Sequence, residues 1–112
     1  MLQIIGTKKN ILTKKALRYC TERSIEHQFV DLHQRDLSEG EWAKIFARID
    51  CTDLIDTDSA LYKKAGYAYR EFDPREELVE HPQLLSLPLL KQKDRVYLVK
   101  TVKDLDLIGD LV

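Results

Sequence analysis

The sequence has few of the residues that build covalent frameworks and metal centres. Two cysteines, Cys20 and Cys51, and three histidines occur among its 112 residues. Two cysteines are too few for a disulfide framework, and His27, His33 and His81 do not fall at the spacings of zinc-binding motifs. We therefore expect free thiols, with a Cys20–Cys51 bridge as the less favoured alternative, and no metal site.

The sequence also lacks a large net charge and long apolar runs. Eighteen basic and nineteen acidic side chains nearly cancel and leave a formal net charge of -1, so no overall field favours nucleic acid or anionic lipid. No apolar segment approaches the roughly 18 residues that span a bilayer. The start, MLQIIGTKKN, lacks the basic and then apolar layout of a signal peptide. We expect a cytoplasmic protein that contacts no membrane and binds no nucleic acid directly.

The first third of the chain alternates strand and helix patterns. LQII (2–5) is typical of a buried strand, an amphipathic helix follows to about Arg23, and EHQFVDL (26–32) forms a second strand. Asn10 is placed to cap the helix, because its side-chain oxygen can accept hydrogen bonds from the first free amides. A β-α-β order favours parallel strands joined by a right-handed crossover.

The middle of the chain predicts several short helices. Ser38 and Glu41 form a capping box at the start of one helix. The stretch TDLIDTDSALYKKAG predicts one or two more, ending at Gly66, and Asp73 caps a further helix that begins at Pro74. These segments make a helical insert at about residues 38–86 within a single domain that covers residues 1–112.

Polar and aromatic side chains in this insert have a structural interpretation. Tyr62, Tyr67 and Tyr69 lie on both sides of Gly66, and we expect them to cover the core with their hydroxyls in water. Glu76 and Glu77 are interpreted as part of a solvated helix face.

The last third predicts a hairpin and a closing helix. LPLLKQKDRVYLVK has the pattern of two short strands around a polar turn at residues 92–94. In TVKDLDLIGDLV, Thr101 caps a helix that Gly109 ends. Its predicted apolar face consists of Val102, Leu105 and Ile108.

Three segments, in this order along the chain, resemble one known family. Lys14-Lys15 follows the first strand and loop, DLIDTDSALYKKAG lies in the middle, and HPQLLSLPLL comes before DRVYLV. They are similar to the Arg-Lys pair, the Leu-Ile-Asn-Thr-Arg-Gly-x-x-Tyr-Lys segment and the Asn-Pro-x-Leu-Ile-x-Arg-Pro-Ile-Val segment of the arsenate reductase (ArsC)/Spx family. The resemblance covers nearly the whole chain.

The resemblance implies a fold. It is the α/β thioredoxin-like fold, with the order β-α-β, helical insert, β-β-α and a four-stranded mixed sheet flanked by helices. The resemblance further implies a cis peptide bond at Leu87–Pro88.

The resemblance also implies that the chemistry of the family is missing. The nucleophilic cysteine of the family falls on Asn10, and the second residue of its redox pair falls on Thr13. Asparagine cannot form a thiolate. Two arginines that hold an oxyanion in the family fall on Asp58 and Leu87, so the forked donors of that clamp are absent. We therefore expect no arsenate reduction at this site. The degenerate active-site positions are Asn10, Thr13, Lys14, Asp58, Leu87 and Pro88.

The leading functional hypothesis is a non-catalytic protein-binding or regulatory module with an unidentified protein partner. It rests on analogy, because the Spx branch of the family binds RNA polymerase. The sequence therefore favours a protein that is not an enzyme and needs no cofactor.

Two alternatives stay open. The first is a glutathione-linked oxidoreductase of the arsenate reductase class that works through another thiol. Cys51, expected in a loop between helices, is the candidate reactive thiol, whereas Cys20 is interpreted as a buried core residue. The second alternative is an anion-binding protein, with Lys8, Lys9 and Lys14 around the start of the first helix.

Overall fold

The computed structural model describes all 112 residues and contains one four-stranded sheet. Its strands are β1 (Leu2–Gly6), β2 (His27–Asp31), β3 (Leu89–Gln92) and β4 (Arg95–Leu98). Their order across the sheet is β2-β1-β3-β4. β1 pairs in parallel with β2 and antiparallel with β3, and β3 pairs antiparallel with β4. The mixed four-stranded sheet that the sequence predicts is confirmed.

Helices and 3-10 turns occupy the positions that the sequence order requires. α1 lies between β1 and β2, four helices lie between β2 and β3, and the last helix follows β4. The helices are α1 (Ile11–Glu22), α2 (Glu39–Arg48), α3 (Cys51–Leu54), α4 (Ala60–Lys64), α5 (Pro74–Glu80) and α6 (Leu107–Leu111), with 3-10 turns at Tyr67–Tyr69, Pro82–Leu84 and Val102–Asp106. The order β-α-β, helices, β-β-α is therefore confirmed.

The chain divides into two compact units. The sheet unit consists of residues 1–37 and 87–112, and the helical unit consists of residues 38–86. The helical unit coincides with the residues expected to form the insert, and the single domain over residues 1–112 stays a prediction. None of the helices combines the length and the apolar character that crossing a bilayer requires.

The core of the sheet unit joins β1, β3, α1 and the closing helix. α1 contributes Ala16 and Cys20, which are fully buried, so the predicted core position of Cys20 is confirmed. The cluster also contains leucine and isoleucine side chains, and burying each of these stabilises the fold by about 1.5–3 kcal/mol. The buried residues of this cluster are Leu2, Ile4, Ala16, Cys20, Leu90, Val99, Leu105, Ile108 and Leu111.

Gly6, at the end of β1, allows α1 to approach the strand closely. A Cβ atom on Gly6 would overlap the Thr13 hydroxyl and lie 2.7 Å from the Thr13 Cγ2 atom. Thr13 is fully buried. Glycine is therefore the residue that leaves room for the first turn of α1 at this point, and the position of that turn is fixed by packing.

Local caps start the helices of the other unit. The Glu41 amide donates to Ser38 Oγ at 3.2 Å, and the Ser38 amide donates to Glu41 Oε1 at 2.9 Å, which confirms the predicted capping box. The Asp73 carboxylate accepts from the Arg75 amide at 3.0 Å, and Pro74 occupies the first position of α5, as predicted. Both ends therefore satisfy amides that have no partner within the helix.

Two long-range hydrogen bonds tie the start and the end of the helical unit together. The Asp56 amide donates to the Leu84 carbonyl, and the Ser86 amide donates to the Leu54 carbonyl, both at 2.7 Å. Gly66 ends the α4 segment with φ of 69°, a left-handed conformation that favours glycine. The predicted end at Gly66 is confirmed.

The closing helix differs from its prediction in two respects. Val102 is 52% exposed, so it does not belong to the apolar face. The buried stripe starts one turn later and runs through Leu105, Ile108 and Leu111 at intervals of three residues. Gly109 lies inside α6 and does not end it, because it does not adopt the left-handed conformation that stops a helix.

The hairpin turn is also shorter than predicted. Gln92 belongs to β3 and pairs with Arg95, so the turn consists of Lys93 and Asp94 only. Lys93 has φ of 55°, which is the kind of backbone conformation that two-residue hairpin turns require.

Asp104 stabilises the start of the closing helical segment. Its Oδ2 atom accepts from the Lys100 amide at 2.8 Å and from the Thr101 amide at 3.0 Å, and Thr101 occupies the predicted N-cap position. These two hydrogen bonds hold the pKa of the Asp104 carboxyl below its ordinary value of 3.8, because backbone donors favour the charged carboxylate.

We predict that Asp104→Asn lowers the free energy of unfolding at neutral pH by roughly 0.5–1 kcal/mol and that the loss shrinks in acid. The native pKa lies below the unfolded-state pKa of about 3.9, so the stabilisation is present above the unfolded value and is lost as pH falls through the native value. Urea unfolding of both proteins at neutral pH and well below the unfolded-state pKa measures this difference. Asp106→Asn, which removes an exposed carboxylate, is the matched control. An equal difference between wild type and D104N at both pH values would contradict the prediction.

Candidate functional site

The start of α1 is built by Asn10, as the sequence predicts. Asn10 has an extended backbone conformation and occupies the N-cap position of the helix. Its Oδ1 atom accepts two hydrogen bonds from one residue, the Thr13 amide at 2.8 Å and the Thr13 Oγ1 hydroxyl at 2.9 Å. The Asn10 carbonyl accepts the first regular helical bond, from the Lys14 amide at 3.1 Å. The Asn10 side chain is thereby committed to the helix start.

Thr13 is enclosed by this arrangement. It is fully buried, with Gly6 of β1 directly beside its side chain, and its hydroxyl donates to Asn10. The amide of this residue, which would be free to bind an anion at an open helix start, is already bonded. Asn10 and Thr13 therefore form a closed polar pair without a nucleophile.

The cis peptide bond expected from the resemblance is present at Leu87–Pro88. Pro88 is buried, and its carbonyl accepts a hydrogen bond from the Val99 amide at 3.1 Å. Leu87 is half-buried and apolar, so its side chain offers no hydrogen-bond donor to an anion.

Exposed cations and one exposed apolar side chain surround the helix start. Lys8, Lys9 and Lys14 are exposed, and Ile11 is 67% exposed at the first position of α1. We call these four residues the helix-start patch. It combines positive charge with apolar surface at the end of a helix, where the macrodipole is also positive.

Asp58, the remaining degenerate position, lies in the helical unit. It is exposed, and its backbone amide donates to the Asp56 Oδ1 atom at 2.9 Å, as in an Asx turn. Asp58 therefore presents a negative charge to solvent and cannot contribute to an anion clamp.

Both cysteines are free, and the pKa of each thiol is raised above its ordinary value. Cys20 is fully buried in the core of the sheet unit. Burial raises the pKa of the Cys20 thiol, and the nearby charge of Arg23 offsets this only in part. A catalytic thiol needs the opposite shift, because the thiolate is the reactive form.

Cys51 is the first residue of α3 and does not lie in a loop, which corrects the prediction. The Asp50 side chain accepts from the Thr52 amide at 2.9 Å and starts this short helix. Partial burial raises the pKa of the Cys51 thiol, the charge of Arg75 lowers it, and the charge of Asp50 raises it further. The net direction is upward, which is the opposite of the shift that activates a thiol.

The sequence did not predict the polar cluster that lies around the end of α5. Tyr67 is buried, and its hydroxyl donates to Glu77 Oε2 at 3.0 Å, so it is not in water as predicted. Burial and the neighbouring Glu77 carboxylate raise the pKa of the Tyr67 hydroxyl. Glu77 is half-buried and not part of a solvated face.

One ligand atom from each of Glu77, Glu80 and His81 lies within 4.8 Å of the others. The spacing of these residues, i, i+3 and i+4, could have indicated the cluster, because side chains at these positions are neighbours on a helix surface.

The other two tyrosines near Gly66 differ in exposure. Tyr62 stacks on Tyr67 with ring centroids 5.8 Å apart, and Phe72 contacts Tyr67 edge-on at 4.9 Å. Tyr69 is 95% exposed and covers no core. Of the three tyrosines, Tyr62 and Tyr67 therefore pack as the sequence predicts, whereas Tyr69 does not.

We predict that Asn10→Ala lowers the free energy of unfolding by about 1 kcal/mol, because it removes the acceptor of the Thr13 amide and of the buried Thr13 hydroxyl. Urea unfolding followed by circular dichroism measures the loss. Asn10→Asp keeps an acceptor in the same place and is the matched control, which we expect to stay close to wild type. Equal stability of N10A and N10D would contradict the role of the cap.

Comparisons with known proteins identify the fold. No protein-family model matches the sequence, and no curated protein matches it either. Among solved structures, a protein named YFFB matches with a TM-score of 0.83 and 16% identity, covering 99% of this chain and 98% of that one. Arsenate reductase from Vibrio cholerae matches with a TM-score of 0.77 and 13% identity, covering 99% and 97%.

A third structure comes from Brucella melitensis. It is an arsenate reductase (ArsC) related protein with a TM-score of 0.73 and 16% identity, and the match covers 98% of this chain and 95% of that one. Identities this low do not transfer an activity, whereas the similarity in structure covers both chains nearly completely. The chain therefore has the α/β thioredoxin-like fold of the arsenate reductase (ArsC) structures, as the resemblance implied.

Proposed function

We propose that this chain is a non-catalytic protein-binding module that uses the arsenate reductase-like fold as a scaffold. The observation that carries the proposal is the closed Asn10–Thr13 pair at the start of α1. The resemblance puts the nucleophilic thiol at this position, and the position holds a neutral carboxamide whose acceptor is already in use. A site of this kind has a structural role and no redox chemistry.

The helix-start patch supports protein binding. Ile11 is an exposed apolar side chain beside Lys8, Lys9 and Lys14. A partner segment with acidic side chains around an apolar residue would match this pattern, since the charges are complementary and the apolar contact excludes water. An acidic segment of a partner protein is therefore the proposed ligand.

The two alternatives are supported less well. A glutathione-linked oxidoreductase needs an activated thiol, whereas burial raises the pKa of both Cys20 and Cys51. Binding of a small inorganic anion at α1 would compete with Asn10 for the Thr13 amide. Neither objection applies to a partner protein that binds through the exposed side chains of the helix-start patch.

We predict that the protein does not reduce arsenate. With arsenate, glutathione and glutaredoxin present, we expect no arsenite above the blank without protein, because no thiolate is available to accept the anion. Titration with a thiol-modifying reagent at neutral pH is expected to show slow modification of Cys51 and slower modification of buried Cys20. The arsenate reductase from Vibrio cholerae is the positive control in the same assay.

A different result would favour the oxidoreductase alternative. If the wild-type protein forms arsenite and Cys51→Ser abolishes that activity, the proposal of a non-catalytic module is wrong. Cys20→Ser then shows whether the second thiol takes part.

We predict that a partner protein binds at the helix-start patch. The immobilised chain is incubated with an extract of the source cells, and retained proteins, including RNA polymerase subunits, are identified by mass spectrometry. The double variant I11S/K14E is expected to lose the partner at least tenfold, because it removes apolar contact and reverses one charge. Retention should also fall with rising salt.

A matched control is available in the same unit. Val102 and Lys103 form another exposed pair of an apolar residue and a lysine, so V102S/K103E makes the same chemical change elsewhere. We expect this variant to retain the partner as wild type does. Retention of nothing above bare resin, or equal loss in both double variants, would count against the helix-start patch as the binding surface.

A further inference from the structure

We propose that Glu77, Glu80 and His81 form a zinc-binding site on the surface of the helical unit. One ligand atom of each residue lies within 4.8 Å of the other two, and Glu77 Oε2 is 3.8 Å from His81 Nε2. The site is independent of the proposed protein-binding function, because it uses no residue of the helix-start patch.

The end of α5 brings the three side chains together. Glu77 and Glu80 are three residues apart on the helix, and His81 is four residues after Glu77, so all three lie on one face. α5 ends at Glu80, and His81 is its C-cap. The His81 amide still donates to the Glu77 carbonyl at 2.7 Å, which keeps the imidazole within reach of the Glu77 carboxylate.

Glu77 is held in place by a residue outside α5. The Tyr67 hydroxyl donates to Glu77 Oε2 at 3.0 Å. Tyr67 is itself buried and fixed by a stacked Tyr62 ring and an edge-on Phe72 ring. Hydrogen bonds of this kind orient metal ligands in known sites. Only 21% of the Glu77 side chain is exposed, so its carboxylate is oriented before any ion arrives.

The donor set selects a transition metal. An imidazole nitrogen and two carboxylate oxygens suit zinc, whereas calcium and magnesium prefer sites made of oxygen alone. Ligand atoms around a tetrahedral zinc ion are about 3.3 Å apart. The Glu77–His81 pair is near that distance, and a rotation of the exposed Glu80 side chain would complete the set.

The proposed ligands are accessible to solvent. Glu80 and His81 are both exposed. Three protein ligands leave a fourth position of a tetrahedral ion open, and a water molecule can occupy that position.

Titration of zinc into the metal-free full chain tests the site. The background variant Cys51→Ser removes a competing thiol ligand from the same unit. Isothermal calorimetry near neutral pH is expected to show one equivalent of zinc bound, and the melting temperature should rise with zinc concentration. Glu80→Gln and His81→Gln, both on exposed positions, are each expected to weaken binding at least tenfold.

Two further variants separate coordination from general effects. Tyr67→Phe keeps the packed ring and removes only the hydroxyl that orients Glu77, and we expect binding about tenfold weaker. His33→Gln removes an exposed histidine of the sheet unit and should leave the affinity unchanged. Cobalt in place of zinc gives a visible spectrum that reports a bound imidazole, and His81→Gln should change it.

Specific outcomes would overturn the inference. Zinc binding that is undetectable in the C51S background, or that is as tight in H81Q and E80Q as in the parent C51S protein, would mean that the cluster is only a surface contact between Glu77 and His81. Circular dichroism of each variant verifies that it is folded, so loss of binding cannot be ascribed to unfolding.

Discussion

Buried polar groups must find hydrogen-bond partners, and this requirement shapes the start of α1. Thr13 is buried against Gly6, so its amide and hydroxyl have no access to water and need partners within the protein. Asn10 accepts both hydrogen bonds with one oxygen atom. The end of β1, the loop after it and the first turn of α1 are thereby fixed relative to one another.

The same junction explains how the fold keeps its first helix without a cysteine at the helix start. A helix start needs an acceptor for its free amides, and asparagine is among the best residues for that purpose. The helix does not depend on a cysteine at this position. Burial raises the pKa of Cys20 and of Cys51, which is the opposite of the shift that produces a reactive thiolate. Exposed cations lie beside Ile11 at the start of the same helix.

In the helical unit, the hydrogen bond from the Tyr67 hydroxyl to Glu77 connects the segment after Gly66 with α5. It holds the Glu77 carboxylate in a half-buried position. Glu80 and His81 are drawn into the same cluster by helix geometry. The two units thus carry separate polar groups: the Asn10–Thr13 pair and exposed cations in one, and the cluster of Glu77, Glu80 and His81 in the other.

Features that depend on neighbours in sequence could be predicted from the sequence, because a cap or a turn forms within a few residues. The order of elements, the caps at Asn10, Ser38 and Asp73, and the left-handed end at Gly66 belong to this group. Features that depend on distant partners required the tertiary structure. The burial of Tyr67 and Glu77, the exposure of Val102 and the closure of Thr13 against Gly6 follow from which surfaces meet. Hydrophobic periodicity gives the face of a helix but not where its buried stripe begins, since the packing partner decides that.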